Sequence, residues 1–229
     1  MESMTSIADR LYGTASEKKH AIYTDEYDRL FSPIRGQSIR LLEIGVHTGA
    51  SMQMWKEYFP IATIVGIDQA EKPADFPHEE RFKFVQGDQA DPAVLDLAIR
   101  LAGGEFDVII DDASHVGFYT ALTFAYLFPR LKPGGIYIIE DIGTAFYPEN
   151  YDGALYSPPE IGIPGMPRIF PSHQHGMVGF IKQLIDHTQE PTLRLEYTRY
   201  AIERMVVMTN VAILHKATAA FSSLYGNRQ

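Results

Sequence analysis

Hydrophobic positions along the chain alternate between two kinds of pattern. Short, nearly continuous apolar runs occur at Arg40–Val46 (RLLEIGV), Thr63–Asp68 (TIVGID), Phe82–Val85, Val108–Ile110 and Ile136–Ile139. Runs of this length predict strands buried on both faces, as in a parallel sheet. Between them, apolar residues recur at roughly helical spacing: after Gly49, through Met52, Trp55 and Tyr58; over Pro92–Ala102, with proline in the first turn; over Gly117–Leu131, stopped by Lys132-Pro133-Gly134-Gly135; and over Met177–Thr188. Residues 1–35 read as short helices with a turn at Tyr12-Gly13-Thr14, followed by Lys18, Lys19, His20, Tyr23 and Tyr27 at mixed spacing. Near the other end, Leu193–Tyr200 and Met205–His215, separated by Ala201–Arg204, predict a terminal hairpin. The β-α-β-α rhythm predicts an α/β, doubly wound, mostly parallel sheet that ends in an antiparallel hairpin, in a single domain spanning 1–229.

What these strands carry at their C-terminal ends directs attention to one edge. Val108–Ile110 runs into Asp111-Asp112, and Ile136–Ile139 runs into Glu140-Asp141. Two parallel strands joined by a crossover helix place both acid pairs at the same end of the sheet, where open α/β sheets bind ligands. Four carboxylates beside a low-dielectric core repel one another by several kcal/mol, so a cation or generous hydrogen bonding is expected there. Some of these acids also have a simpler use, as caps of helices or turns.

The first strand leads into Glu43-x-Gly45-x-x-x-Gly49, a strand-to-helix glycine turn. Glycines there allow backbone to approach a nucleotide closely, and the helix N-terminus presents free N–H groups to an anion. The second strand ends in Asp68, 25 residues after Glu43, about where a ribose-binding carboxylate is expected. The third ends in Gly87-Asp88-Gln89, another polar tip on the same edge. Beyond the central strands, residues 143–176 hold six prolines, five glycines and the aromatics Phe146, Tyr147, Tyr151, Tyr156 and Phe170, which predicts a long substrate-covering loop. His173 and His175 are expected on its surface.

Composition narrows the chemistry further. The 229 residues include no cysteine, which removes disulfides, thiolate zinc sites and thiol nucleophiles together. Oxygen ligation by carboxylates suits magnesium, calcium or manganese. With 20 basic and 29 acidic residues the net charge is −9, and no Lys/Arg run exceeds two, so nucleic acid is not an expected partner. MESMTSIADR has no apolar leader core and no run approaches a membrane span, which predicts a cytoplasmic protein without a membrane partner.

Five motifs, in order, carry a family resemblance: LLEIGVHTGAS, VGIDQ, the GDQ after the third strand, DVIIDDASH and YIIEDI. Between Tyr12 and Asp141 the chain resembles the class I S-adenosylmethionine-dependent methyltransferases, whose fold is Rossmann-like. More narrowly it is similar to the magnesium-dependent sugar O-methyltransferases of macrolide and related glycoside biosynthesis, the macrocin and mycinamicin group, with cephalosporin hydroxylase-like relatives. The resemblance implies Mg2+ held by Asp112, Glu140 and Asp141, and His115 as general base. It also implies a cofactor site, with Glu43, Gly45, Gly49 and Ser51 around the methionine part, Asp68 on the ribose, and Asp88 with Gln89 at the adenine. Asp111 is expected to assist the cofactor or orient the metal site. Residues 1–35 take the position of a helical lid, although Ala15 stands where an acid usually follows the YGT motif.

The expected activity is therefore methyl transfer from S-adenosylmethionine to a sugar hydroxyl of a glycoside or saccharide, with vicinal hydroxyls chelated to magnesium and the proton passing to His115. Relatives of this kind commonly form homo-oligomers, and the same is expected here. Three other readings compete. An O-methyltransferase of a catechol-like small molecule would use the same metal site, with a lysine where His115 stands. A nicotinamide oxidoreductase would carry Gly-x-Gly-x-x-Gly, which the first turn lacks. A non-catalytic cofactor-binding protein would gain nothing from a cluster of carboxylates.

Overall fold

The protein is described here as a computed structural model covering residues 2–12, 21–156, 173–190 and 200–218. Its elements in chain order are α1 (Met4–Tyr12), α2 (Ala21–Phe31), β1 (Arg40–Ile44), α3 (Ala50–Tyr58), β2 (Thr63–Asp68), β3 (Phe82–Gln86), α4 (Pro92–Ala102), β4 (Phe106–Asp111), α5 (Gly117–Leu127), β5 (Leu131–Glu140), α6 (Gly176–Gln189), β6 (Ile202–Met208) and β7 (Val211–Lys216). The seven strands form one sheet in the order β3-β2-β1-β4-β5-β7-β6, parallel from β3 through β5, with β7 antiparallel to both neighbours. This is the mostly parallel sheet with an antiparallel end that the sequence predicts.

Along the central strands successive residues face two different cores, and the alternation decides where the polar residues go. Leu42, Ile44, Ile109, Tyr137 and Ile139 pack against α4, α5 and α6. Leu41, Val108, Ile110, Ile136 and Ile138 pack against α1, α2 and α3, where Tyr27, Phe31, Trp55 and Phe59 form a continuous aromatic layer. Local signals set several boundaries. Asp91 caps α4 by accepting from the Ala93 N–H (2.8 Å), Pro92 occupies its first position, and Gly103 ends it at φ 81°. No helix among the described residues is long and apolar enough to cross a membrane.

Three predicted boundaries differ. The helix expected to reach Leu131 ends at Leu127 and continues as a 3-10 turn over Phe128–Arg130, since Pro129 cannot supply the next helical N–H. Lys132-Pro133-Gly134-Gly135 does not stop a helix but bulges inside β5: Leu131 pairs with Phe106 and Ile136 with Val108, so five steps on β5 oppose two on β4. The terminal hairpin is formed by Ile202–Met208 and Val211–Lys216, with its turn at Thr209-Asn210. Of the expected connector Ala201–Arg204, Ile202–Arg204 instead opens β6, and residues 193–199, like the expected turn at Gly13-Thr14, lie outside the described residues. Of the long segment 143–176, Ile142–Phe146 forms a 3-10 turn, and 157–172 lie outside the described residues.

Candidate active site

A cleft of about 920 Å3 opens at the C-terminal edge of the parallel strands, above the β1/β4 switch point where the crossovers change direction. The glycine turn after β1 forms one wall. Gly45 sits at φ 93°, and a Cβ on it would lie 2.0 Å from the Asp112 carbonyl oxygen, so the two strand-end loops touch backbone to backbone. Gly45→Ala is expected to lower stability by at least about 2 kcal/mol, read by urea titration, because both the left-handed backbone and the clash oppose it. Gly49, at φ 86°, is the N-cap of α3 and lies behind the cleft surface, whereas Glu43, Gly45 and Ser51 line it.

Asp68 accepts from the His47 N–H (2.8 Å) and the Ala70 N–H (2.9 Å), which fastens the tip of β2 to the glycine turn. Asp88 accepts from the Ala90 N–H at 2.7 Å and closes a local turn. Gln89 is buried and bridges two elements: its Oε1 accepts from the Ser114 N–H (3.0 Å), and its Nε2 donates to Thr123 Oγ1 (3.1 Å). All three residues line the cleft.

Of the four acids at the ends of β4 and β5, three border the cleft and Asp111 does not. Asp112 and Asp141, just beyond the strand ends, face the cleft together with His115. One ligand atom from each of these three residues lies within 4.8 Å of the others. His115 Nε2 is 3.7 Å from Asp141 Oδ2, while its Nδ1 is buried with no hydrogen-bond partner. Glu140 also borders the cleft but is buried, and accepts from the Tyr27 hydroxyl (2.7 Å). Glu43, on the same face of the sheet, accepts from Trp55 Nε1. Tyr27 and Trp55 are neighbours in the aromatic layer, 6.1 Å apart, so that layer supplies donors to two buried carboxylates.

Asp111 turns the other way. It lies on the Ile109 face, buried against Tyr137, whose hydroxyl donates to it at 3.2 Å, and it does not line the cleft. Burial pushes its carboxyl up to about 7, partly offset by the Tyr137 bond. In the metal-free protein the folded state therefore holds a proton that the unfolded chain releases near the ordinary aspartate value of 3.8, so stability falls as pH rises from there to about 7. Asp111→Asn keeps an acceptor for Tyr137. It is expected to raise Tm at about pH 8 and to leave it nearly unchanged at about pH 4, as differential scanning calorimetry would show.

Several features of the site were not legible in the sequence. Tyr23 on α2 lines the cleft and donates to Asp141 Oδ1 (3.3 Å), and Asn210 in the β6–β7 turn donates to the same oxygen (2.7 Å). His173, expected on a surface, is buried, bonded through Nε2 to the Ala145 carbonyl (2.7 Å) and stacked on Phe146. The four non-glycine residues with positive φ among those described are His47, His115, Asp141 and Asn210, and all four line the cleft. Such conformations cost roughly 1–3 kcal/mol each and persist where the surroundings over-determine them, which is common at functional sites. The donors at the β4 and β5 ends, carboxylate oxygens and one imidazole without any thiol, fit a hard divalent cation.

Sheet order, switch-point cleft and glycine turn together define a Rossmann-like methyltransferase fold. The homologues of this chain are sugar O-methyltransferases of the mycinamicin, macrocin and tetracenomycin group. It is 36% identical over 207 residues to mycinamicin VI 2''-O-methyltransferase of Micromonospora griseorubida, a match covering 85% of this chain and 48% of that protein. Against 8-demethyl-8-alpha-L-rhamnosyl tetracenomycin-C 2'-O-methyltransferase of Streptomyces olivaceus it is 35% identical over 181 residues, covering 74% and 43%. It superposes on the MycE methyltransferase of the mycinamycin pathway, solved in complex with Mg, SAH and mycinamycin VI, with a TM-score of 0.76 and 32% identity over 95% of this chain and 54% of that one. The chain thus spans about half the length of the relatives it matches. No family model matches it.

Proposed function

We propose that the chain is the catalytic region of an S-adenosylmethionine-dependent, magnesium-dependent O-methyltransferase acting on a sugar hydroxyl of a glycoside or saccharide. The observation that carries this reading is the convergence of Asp112, His115 and Asp141 beside a glycine-turn cleft large enough for a nucleoside cofactor. Glu43, Gly45 and Ser51 would hold the methionine part of S-adenosylmethionine, with Gly49 shaping the turn from behind the cleft surface; Asp68 would meet its ribose, and Asp88 with Gln89 its adenine. Asp112, Glu140 and Asp141 would hold the ion, which when bound would supply Lewis-acid polarisation and orientation for vicinal hydroxyls of the acceptor.

His115 then has one available nitrogen. Its Nδ1 is buried, so Nε2 takes the proton as the acceptor oxygen bonds to the methyl carbon, the carbon–sulfur bond breaks, and S-adenosylhomocysteine leaves. Asp111 contributes from behind the site, through packing on Tyr137. Residues 1–35 act as a helical lid and 143–176 as the acceptor-side loop within one domain. Two contacts support this: Tyr23 lines the cleft, and Asp152 accepts from the Gly117 N–H (2.7 Å), which ties the loop to the start of α5 beside His115. A cytoplasmic homo-oligomer without a nucleic-acid partner completes the reading, in keeping with a net charge of −9.

The test is an S-adenosylhomocysteine release assay with magnesium and a panel of glycosides bearing free vicinal hydroxyls, run beside catechols. Turnover on glycosides that a chelator abolishes is the expected result. Turnover confined to catechols would move the acceptor to a phenol, and chelator-insensitive turnover would remove the metal role.

A further inference from the structure

Because β7 runs against β5, its first residue, Val211, pairs with Glu140, and the preceding turn arrives at the edge where the parallel strands end. Asn210 in that turn contacts three consecutive residues of the β5 exit. Its Nδ2 donates to Asp141 Oδ1 (2.7 Å), its carbonyl accepts from the Ile142 N–H (3.2 Å), and its Oδ1 accepts from the Gly143 N–H (2.7 Å). The approach is close enough that a Cβ on Gly143 would lie 2.6 Å from Asn210 Oδ1. Asn210 has φ 66° and Asp141 φ 54°, so two left-handed residues are held face to face by these bonds. Asparagine tolerates that conformation better than most side chains and supplies both a donor and an acceptor.

We infer that Asn210 is a positioning residue for the metal carboxylate Asp141, which makes the antiparallel hairpin a working part of the site; this rests on the metal role proposed above. The bonds divide the carboxylate. Oδ1 is committed to Asn210 and, more weakly, to the Tyr23 hydroxyl at 3.3 Å, while Oδ2 faces His115. A hydrogen-bonded ligand keeps one orientation, and loss of such a partner typically lowers metal affinity about 10–100-fold. The Tyr23 hydroxyl also lies 3.3 Å from the Asn210 carbonyl, so its single proton is shared between the two oxygens and α2 braces the same turn.

The variant to test is Asn210→Gly, which keeps the left-handed backbone accessible and removes only the amide. Mn2+ binding to the cofactor-free protein, followed by electron paramagnetic resonance, gives a readout independent of turnover, and S-adenosylhomocysteine affinity without metal serves as the control. The expected result is a Mn2+ Kd raised about 10–100-fold with S-adenosylhomocysteine affinity unchanged within about twofold. Unchanged Mn2+ affinity in a folded Asn210→Gly, or a parallel loss of both affinities, overturns the inference while leaving the metal site standing. No Mn2+ binding by the wild type overturns both. If Asn210→Gly does not fold, Tyr23→Phe decides: it removes the second donor to Oδ1, a severalfold weaker Mn2+ Kd supports the clamp, and an unchanged one overturns it.

Discussion

Replacing His115 with alanine is expected to lower turnover by about 10²- to 10⁴-fold while leaving S-adenosylhomocysteine affinity nearly intact, since that is the range a positioned general base contributes. A sugar hydroxyl is a poor nucleophile at neutral pH, and its proton must leave as the new bond forms. His115 is well placed to receive it. Its backbone is in the left-handed region at φ 53°, and its carbonyl is held by the Thr144 hydroxyl at 3.1 Å, which aims the ring at Asp141 rather than along α5. The cofactor wall proposed above is built from the β1 turn and the tips of β2 and β3, with the imidazole on the β4 side of the same cleft, so on that reading binding and turnover should separate in this variant. Wild-type turnover by His115→Ala would remove the residue from the chemistry.

The second large effect is expected from Asp112→Asn. The substitution is nearly isosteric, so the backbone contact of Asp112 with Gly45 and the Asp112 N–H bond to the Ile44 carbonyl (2.9 Å) survive. What changes is one negative charge among the donors that would hold the cation. Metal-based charge stabilisation is worth several kcal/mol, so turnover should fall by roughly 10³-fold, with saturating magnesium restoring little of it. Initial rates over a magnesium titration give the answer. A variant that recovers wild-type turnover at high magnesium would place Asp112 outside the essential ligand set.

Much of this site was legible in the sequence because its position is dictated by topology. Parallel strands deliver their C-terminal residues to one edge, so Asp68, Asp88, Gln89, Asp112 and Asp141 were expected to meet there from strand patterns alone, and all of them line one cleft. The pair Asp111-Asp112 shows the limit of reading motifs as blocks. A two-residue period sends neighbours to opposite faces, and Asp111 follows Ile109 into the core with Tyr137. The hairpin was misplaced because MVVMTNVAILH reads as one β-rich run, and the turn within it rests on a single asparagine at φ 66°. That Tyr23, already placed in the lid segment, and Asn210 both meet Asp141 was invisible for a different reason. They reach Asp141 across 118 and 69 residues, and no local pattern encodes a contact of that range. Tyr23 and Tyr27 were noted in the helical N-terminal segment, but not that their hydroxyls bond to the acids at the end of β5.

The measurement that bears most directly on the central claim is calorimetric titration of S-adenosylhomocysteine into the wild-type chain and into Asp112→Asn, with and without magnesium. Saturable binding by both proteins, with a separate magnesium site present in the wild type and lost in the variant, is the predicted result. No binding of S-adenosylhomocysteine by the wild-type chain under either condition would contradict the methyltransferase account.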